Sequence, residues 1–301
     1  MSSAILLSNW YSGATLTSIL LDAHPEIICN GETFPFAETD MRRHLCSCGE
    51  YIDQCEFFKK TLEIDEGKNF PENWNYKRYV VNPLFSKNKY LNKFLASPVR
   101  DSNLRRWFEK RSKVNQKISI FYDAQVNFME KAKEFSGAKI YLDGTKSIRR
   151  AQIFAKYSKN QNIKLIHLVR DGRAFCNSYR KNKKIDEGKI EIAAKEWNEY
   201  ISLVEKLKLN YSNLDIIDVR YEDLCRNFKS TYKYIEQFLG VCQIDHSHLE
   251  KDKSHILGNR MRKDFDFSIK EDISWKNELS EETIKNISEK MKSNLIKYNY
   301  I

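Results

Sequence analysis

The stretch Ile163-Lys-Leu-Ile-His-Leu-Val169 is nearly continuous in apolar residues. A strand of that composition is buried on both faces, which is the signature of a central strand in a parallel sheet covered by helices. It runs directly into Arg170-Asp-Gly-Arg173 and a helical stretch carrying Ser178. The same alternation recurs along the chain. Ala4 to Leu7 is a short apolar run ending in the loop Tyr11-Ser12-Gly13, after which Leu16, Ile19, Leu20 and Ala23 follow helical spacing up to Pro25. Ile27 to Cys29, Ala138 to Leu142 and Leu214 to Val219 read as further strands. Ser147 to Tyr157 reads as a crossover helix, and Ala193, Trp197, Tyr200, Ile201, Val204 and Leu207 form an amphipathic stripe. Another helix follows around Thr231, Ile235, Phe238 and Leu239; Ser280, followed by Glu281 and Glu282, caps a final one carrying Ile284, Ile287, Met291 and Leu295.

Strands alternating with helices predict one α/β domain over residues 1–301, a central parallel sheet with flanking helices. Residues from about 36 to 133 are mixed, charged and aromatic, and are expected to form a mostly helical cap insertion on the acceptor side. With five prolines and ten glycines, no stretch reads as a flexible linker.

Lys+Arg of 51 against Asp+Glu of 41 leaves a formal charge of +10, which suits an anionic ligand but does not choose among nucleotide, nucleic acid, polysaccharide or membrane surface. No zinc-finger, helix-turn-helix or aromatic RNA-binding signature accompanies the charge, so no nucleic-acid partner is expected and that reading rests on charge alone. Seven cysteines, an odd number in a long chain, read mainly as reduced thiols. The apolar N-terminal stretch has no basic lead and is broken by Asn9, Tyr11, Ser12 and Gly13. It resembles neither signal peptide nor anchor, and a soluble, cytoplasmic protein with no membrane span is expected.

Anion chemistry has two natural places. The first strand-loop-helix offers loop amides and a helix N-terminus, with Gly13 permitting close backbone approach and Ser12 and Thr15 adding hydroxyls. Gly-x-x-x-x-Gly-Lys-Ser/Thr is not matched, and an ordinary strand-to-helix turn explains so short a pattern equally well. The second place is stronger. Arg170 sits at the carboxyl end of an apolar strand, pointing into the crevice where parallel sheets bind ligands, with Ser178 about two helical turns on. A planar guanidinium and a hydroxyl suit a phosphate monoester; the alternative is a structural Arg170–Asp171 ion pair.

These segments resemble the two donor-binding motifs of sulfotransferases that use PAPS (3'-phosphoadenosine-5'-phosphosulfate). Further similarities are Val219-Arg-Tyr221-Glu-Asp-Leu, Phe238-Leu-Gly240-Val, His255-Ile-Leu-Gly258-Asn259-Arg260-Met-Arg262, Trp275-Lys276 and the closing Tyr-Asn-Tyr. The resemblance implies a P-loop-NTPase-like sulfotransferase fold, with PAPS as co-substrate, PAP as product and no metal required. It implies that Ser12, Gly13, Ala14, Thr15 and Leu16 hold the 5'-phosphosulfate, that Arg170 and Ser178 hold the 3'-phosphate, and that Tyr221 adds a hydroxyl contact. Arg260 or Arg262 is placed on a late loop over the nucleotide, where an exposed basic loop is an equal explanation.

Sulfuryl transfer needs two oxygens in line, charge stabilisation on the leaving phosphate and a base for the acceptor proton. Glu32, after the run Ile27-Ile28-Cys29, is the candidate base. The similar stretch in tyrosylprotein sulfotransferases, here Leu21-Asp-Ala-His-Pro25, precedes the corresponding glutamate. His24, before Pro25 at a helix end, reads as structural. Lys146, in Asp143-Gly-Thr-Lys146 after a strand, is placed to reach the bridging oxygen or sulfuryl group, and the same position matches a donor-site lysine in the family. Tyr11 stands where many such enzymes have Arg or Lys, although bacterial sulfotransferase-like proteins look similar in having Tyr-Ser-Gly.

Those proteins also resemble this chain at Cys46-Ser-Cys48-Gly49 followed by Cys55. With His44 nearby the residue types allow zinc, but Cys-x-Cys is not the usual knuckle, and a compact loop packed by thiols or one disulfide is expected instead. The acceptor is expected to be a hydroxyl or amine of a small molecule, lipid or saccharide, with Trp74, Trp107, Phe108, Tyr122 and Phe128 either lining its pocket or filling the core. A donor-binding protein without turnover is the other reading that Tyr11 motivates.

Overall fold

The computed structural model describes residues 3–32, 45–62, 86–98, 103–158, 163–246, 249, 254–258, 261 and 268–301. Five short apolar strands, β1 (Ser3–Ser8), β2 (Ile27–Cys29), β3 (Ile140–Asp143), β4 (Ile163–Val169) and β5 (Leu214–Arg220), form one parallel sheet in the order β2-β3-β1-β4-β5. The register pairs Ser8 with Leu168, Cys29 with Leu142 and Val169 with Arg220, so the strands end level with one another along one rim. The α/β architecture expected from the alternating pattern is the one observed.

Side-chain alternation divides the core into two layers. Ile5, Leu7, Ile28 and Leu165 face α5 (Ser112–Ser136), α6 (Ile148–Tyr157) and α8 (Glu191–Asn210). Ala4, Leu6, Leu142 and Leu168 face α1 (Ala14–Asp22) and α10 (Phe228–Leu239). Each of these leucines and isoleucines is almost wholly buried and contributes roughly 1.5–3 kcal/mol relative to exposure. A third cluster joins α7 (Gly172–Lys183), α8 and α12 (Glu281–Lys297) through Phe175, Trp197, Ile287 and Met291.

Several helix starts follow the sequence chemistry. The Ser147 hydroxyl accepts from Arg150 N at the head of α6, and the Ser280 hydroxyl accepts from Thr283 N at the head of α12. The 25-residue α5 packs on the short α2 (Glu56–Thr61), with α3 (Lys89–Ala96) and α4 (Asn103–Glu109) nearby in sequence. Phe128 lies in the core against Tyr141, with Tyr122 partly buried against Phe154. Trp107 is half exposed, with the Arg111 guanidinium over its ring at 3.9 Å. Trp74, Phe36 and His44 lie outside the described residues. Among the described residues, no helix is long and apolar enough to cross a membrane.

Candidate active site

Because all five strands run the same way, their carboxyl ends deliver side chains to a single rim, the place where open parallel sheets bind ligands. An open cleft of about 600 Å³ lies there. Its wall takes residues from every strand end: Trp10, Tyr11 and Gly13 to Leu16 after β1, Glu32 after β2, Lys146 after β3, Arg170 after β4 and Tyr221 after β5.

The β1–α1 turn is built around Gly13, whose φ of 87° lies in the left-handed region and which forms the N-cap of α1. Gly13 has no side chain to cap this helix and the first turn has no acidic residue, so the N–H groups and positive end of the helix suit an anion. A Cβ on Gly13 would lie 2.4 Å from Cδ2 of the Tyr221 ring, which packs on the turn. Gly13→Ala is therefore expected to cost about 2 kcal/mol or more, from left-handed strain plus overlap with the ring, read as a lowered Tm in thermal unfolding. An unchanged Tm would contradict the packing described. Ser12 is buried, and its hydroxyl donates to the Trp10 carbonyl at 3.4 Å instead of facing the cleft. Ala14, Thr15 and Leu16 line the cleft wall.

Arg170 is almost wholly buried and fully engaged on one side. Its Nη1 donates to the Tyr11 carbonyl at 2.7 Å and to Ser178 Oγ at 3.2 Å. Nη2 donates to Asp272 Oδ2 at 2.9 Å, and the guanidinium lies over the Tyr221 ring at 4.9 Å. The Nε has no partner among the described residues. The alternative Arg170–Asp171 pair does not form. Asp171 caps α7 by accepting from Arg173 N and pairs with the Arg173 guanidinium at 2.7 Å. Burial pushes the Asp272 carboxyl up, but hydrogen bonds from Ser274 and Arg170 outweigh it and hold its pKa down at about 2, so the pair is charged at neutral pH.

Tyr11 has a left-handed backbone, φ 59°, and its ring meets Tyr179 edge-on at 6.3 Å. Tyr11 contributes its carbonyl to Arg170. Lys146, itself at φ 62°, brings an ammonium to the cleft. Its Nζ is 2.5 Å from Glu32 Oε1 and lies over the Trp10 ring at 4.9 Å. The turn that presents it is fixed from below. Asp143 accepts from Thr145 N at 3.0 Å and from Arg150 Nε at 2.7 Å, with both charged side chains fully buried.

Glu32 is held by its backbone as well. Glu32 N donates to the Leu257 carbonyl at 3.1 Å, and Gly31, at φ 64°, forms a parallel bridge with Leu257. His24 is buried. It accepts from Glu26 N at Nδ1 and donates from Nε2 to the Cys242 carbonyl, a structural arrangement.

Tyr221 OH donates to the Lys270 carbonyl at 3.3 Å, so the 268–272 segment closes one side of the cleft. Asp272, Asn182, Lys270 and Trp10 went unnoticed in the sequence. Asp272 is 102 positions from the arginine it meets, and no spacing pattern announces such a contact. Arg260 and Arg262 lie outside the described residues, while their neighbour Met261 lines the cleft. Trp107, Phe108, Tyr122 and Phe128 are not among the residues that line it.

The cysteine loop is tied to the stretch before Leu257, Ser47 N donating to the Ile256 carbonyl at 3.2 Å. Among the described residues, the imidazole brought to Cys46, Cys48 and Cys55 is that of His255. Cys48 and Cys55 sulfurs are 3.6 Å apart and all seven cysteines are free thiols, so the single-disulfide arrangement is not formed.

Against known proteins, the profile of the sulfotransferase family matches residues 5–245. The chain belongs to the sulfotransferase family. That match runs from within β1 through β5 and takes in every cleft residue of this sulfotransferase up to Tyr221. Among solved structures it is similar to the sulfotransferase domain of the Synechococcus PCC 7002 olefin synthase, at 17% identity and a TM-score of 0.48 over 95% of this chain and 93% of that one. It is also similar to the sulfotransferase domain from the curacin biosynthetic pathway, at 15% identity and a TM-score of 0.49 over 97% and 98% of the two chains. Sulfotransferase STF9 from Mycobacterium avium matches at 13% identity and a TM-score of 0.42, over 81% and 65%. No curated protein matches the chain.

Proposed function

We propose that this sulfotransferase uses PAPS as donor and passes its sulfuryl group to a hydroxyl or amine of a small-molecule, lipid or saccharide acceptor. The observation that carries the reading is the meeting, in one cleft, of two separate places suited to an anion with a carboxylate–ammonium pair: the α1 N-terminus, Arg170 with Ser178, and Glu32 with Lys146. A donor whose ribose carries a 5'-phosphosulfate and a 3'-phosphate monoester matches two such sites.

In this reading the 5'-phosphosulfate lies on the amides of Gly13 to Leu16, and the 3'-phosphate takes the Arg170 guanidinium from Asp272. The acceptor oxygen or nitrogen attacks sulfur as the bond from sulfur to the bridging phosphate oxygen breaks, and PAP departs with the electron pair. Glu32 takes the acceptor proton. Lys146 turns from Glu32 to the bridging oxygen, which frees the carboxylate and offsets charge on the leaving phosphate. The left-handed backbone at Lys146 is the kind of strained turn that functional sites retain.

Calorimetric titration with PAP and with ADP tests the donor. PAP is expected to bind roughly 10- to 100-fold tighter, since charge-assisted hydrogen bonds to the 3'-phosphate are worth about 1.5–3 kcal/mol. Equal affinities would overturn the PAPS reading. PAP binding with no transfer from PAPS to any acceptor panel would favour a donor-binding protein without turnover.

A further inference from the structure

Three thiols and one imidazole converge outside the cleft. The Sγ atoms of Cys46, Cys48 and Cys55 and a ring nitrogen of His255 all lie within 4.8 Å of one another. Individual separations are 3.6 Å from Cys46 Sγ to His255 Nδ1, 3.3 Å from Cys55 Sγ to His255 Nδ1 and 3.6 Å between the Cys48 and Cys55 sulfurs. A tetrahedral zinc ion, with Zn–S near 2.3 Å and Zn–N near 2.0 Å, sets its ligand atoms about 3.5–3.8 Å apart. These three separations are close to the edges of that tetrahedron. A disulfide needs its sulfurs at about 2.05 Å and would leave a third thiol and the imidazole without a partner.

We propose that Cys46, Cys48, Cys55 and His255 hold one structural zinc ion. Three thiolates and one imidazole are a complete ligand set, leaving no open position for chemistry, and a soft tetrahedral sulfur-rich site selects zinc over the hard cations. Binding releases the thiol protons, and the metal takes no part in sulfuryl transfer.

The surrounding contacts are those of a site assembled from two distant stretches. The bridge between Leu45 and Tyr51 and the Gly49 N to Cys46 O bond fold the first two thiols into a tight turn, and the Cys55 N to Tyr51 O bond brings in the third. His255 arrives from 200 positions further on. Its carbonyl accepts from Asn30 Nδ2 at 2.9 Å, and its ring stacks on Phe57 at 4.8 Å with planes 13° apart. Ser47 ties the two stretches, its hydroxyl donating to the Ser254 carbonyl at 2.6 Å and accepting from Ile256 N at 2.8 Å. Outer contacts of this kind orient metal ligands.

The site also has a purpose within the molecule. The 254–258 segment it would anchor carries Leu257, whose carbonyl holds Glu32 N and whose backbone bridges Gly31. Zinc would thereby fix the strand that presents Glu32, independently of which donor or acceptor the cleft takes.

Metal analysis of the full chain, purified from zinc-supplemented cells, decides the point. The expected result is one zinc per chain. Metal-stripped protein is expected to take up cobalt(II) and show the visible bands of tetrahedral thiolate coordination. Cys55→Ser and His255→Ala are expected to lose the bound zinc, whereas Cys242→Ser, at an exposed thiol, keeps it. A wild-type chain that carries no stoichiometric metal and gives no tetrahedral cobalt spectrum would overturn the proposal, as would a native disulfide among the three thiols. Both readouts come from the wild-type chain, so misfolding of a variant leaves the decision intact.

Discussion

A Glu32→Gln variant is expected to bind PAP as the parent does and to transfer sulfuryl groups about 10²–10⁴-fold more slowly, the usual contribution of a positioned base. The amide has the shape of the carboxylate and can still accept from Lys146 Nζ, which lies 2.5 Å from Oε1 in the parent. The backbone bond from Glu32 N to the Leu257 carbonyl does not depend on the side chain. Only the capacity to take a proton is removed. Single-turnover transfer from PAPS, beside a PAP titration and a Tm, separates the cases. Slow chemistry with unchanged affinity and Tm supports a base; parental turnover would show that another group takes the proton.

Arg170→Ala is expected to weaken PAP roughly 100-fold while leaving ADP nearly unaffected. Removing a guanidinium forfeits charge-assisted hydrogen bonds of about 1.5–3 kcal/mol each, and each 1.4 kcal/mol is a factor of ten. Part of that interaction is committed elsewhere while the cleft is empty, because Asp272 Oδ2 sits 2.9 Å from Nη2. Asp272→Asn should therefore move affinity the other way. The pair is partly exposed, so the gain is about two- to fivefold, the range of an exposed ion pair. Calorimetry with the same batch of PAP reads both variants. An Arg170→Ala protein that binds PAP as tightly as its parent would remove the 3'-phosphate from this site.

The strands were legible because burial on both faces leaves a composition that little else produces. Ile163–Val169 has the same limits in sequence and structure, and the Ser147 and Ser280 caps lie where the helix starts were expected. The rim followed from topology: once the sheet is parallel, Glu32, Lys146, Arg170 and Tyr221 all stand just after strand ends and meet in one cleft. What escaped was contact between stretches that share no local pattern. Asp272 on Arg170 and His255 beside Cys55 depend on long-range packing, with 102 and 200 positions between partners. The orientation of Ser12 escaped for a different reason, since its small side chain turns to the Trp10 carbonyl through a backbone geometry that spacing does not encode.

Tyr221 has a place that bears on selectivity. One ring packs on Gly13 and lies beneath the Arg170 guanidinium, and its hydroxyl donates to the Lys270 carbonyl. The 5' and 3' groups of a bound donor would accordingly share a wall, and any shift of that wall is felt at both. Energies at neighbouring positions that share a partner do not add. A donor lacking the 3'-phosphate would forgo its bonds to Arg170 and would also meet a less well-ordered loop at the sulfuryl end. Rejection of such a molecule would then show itself in the alignment of the reacting atoms as much as in the strength with which it is held.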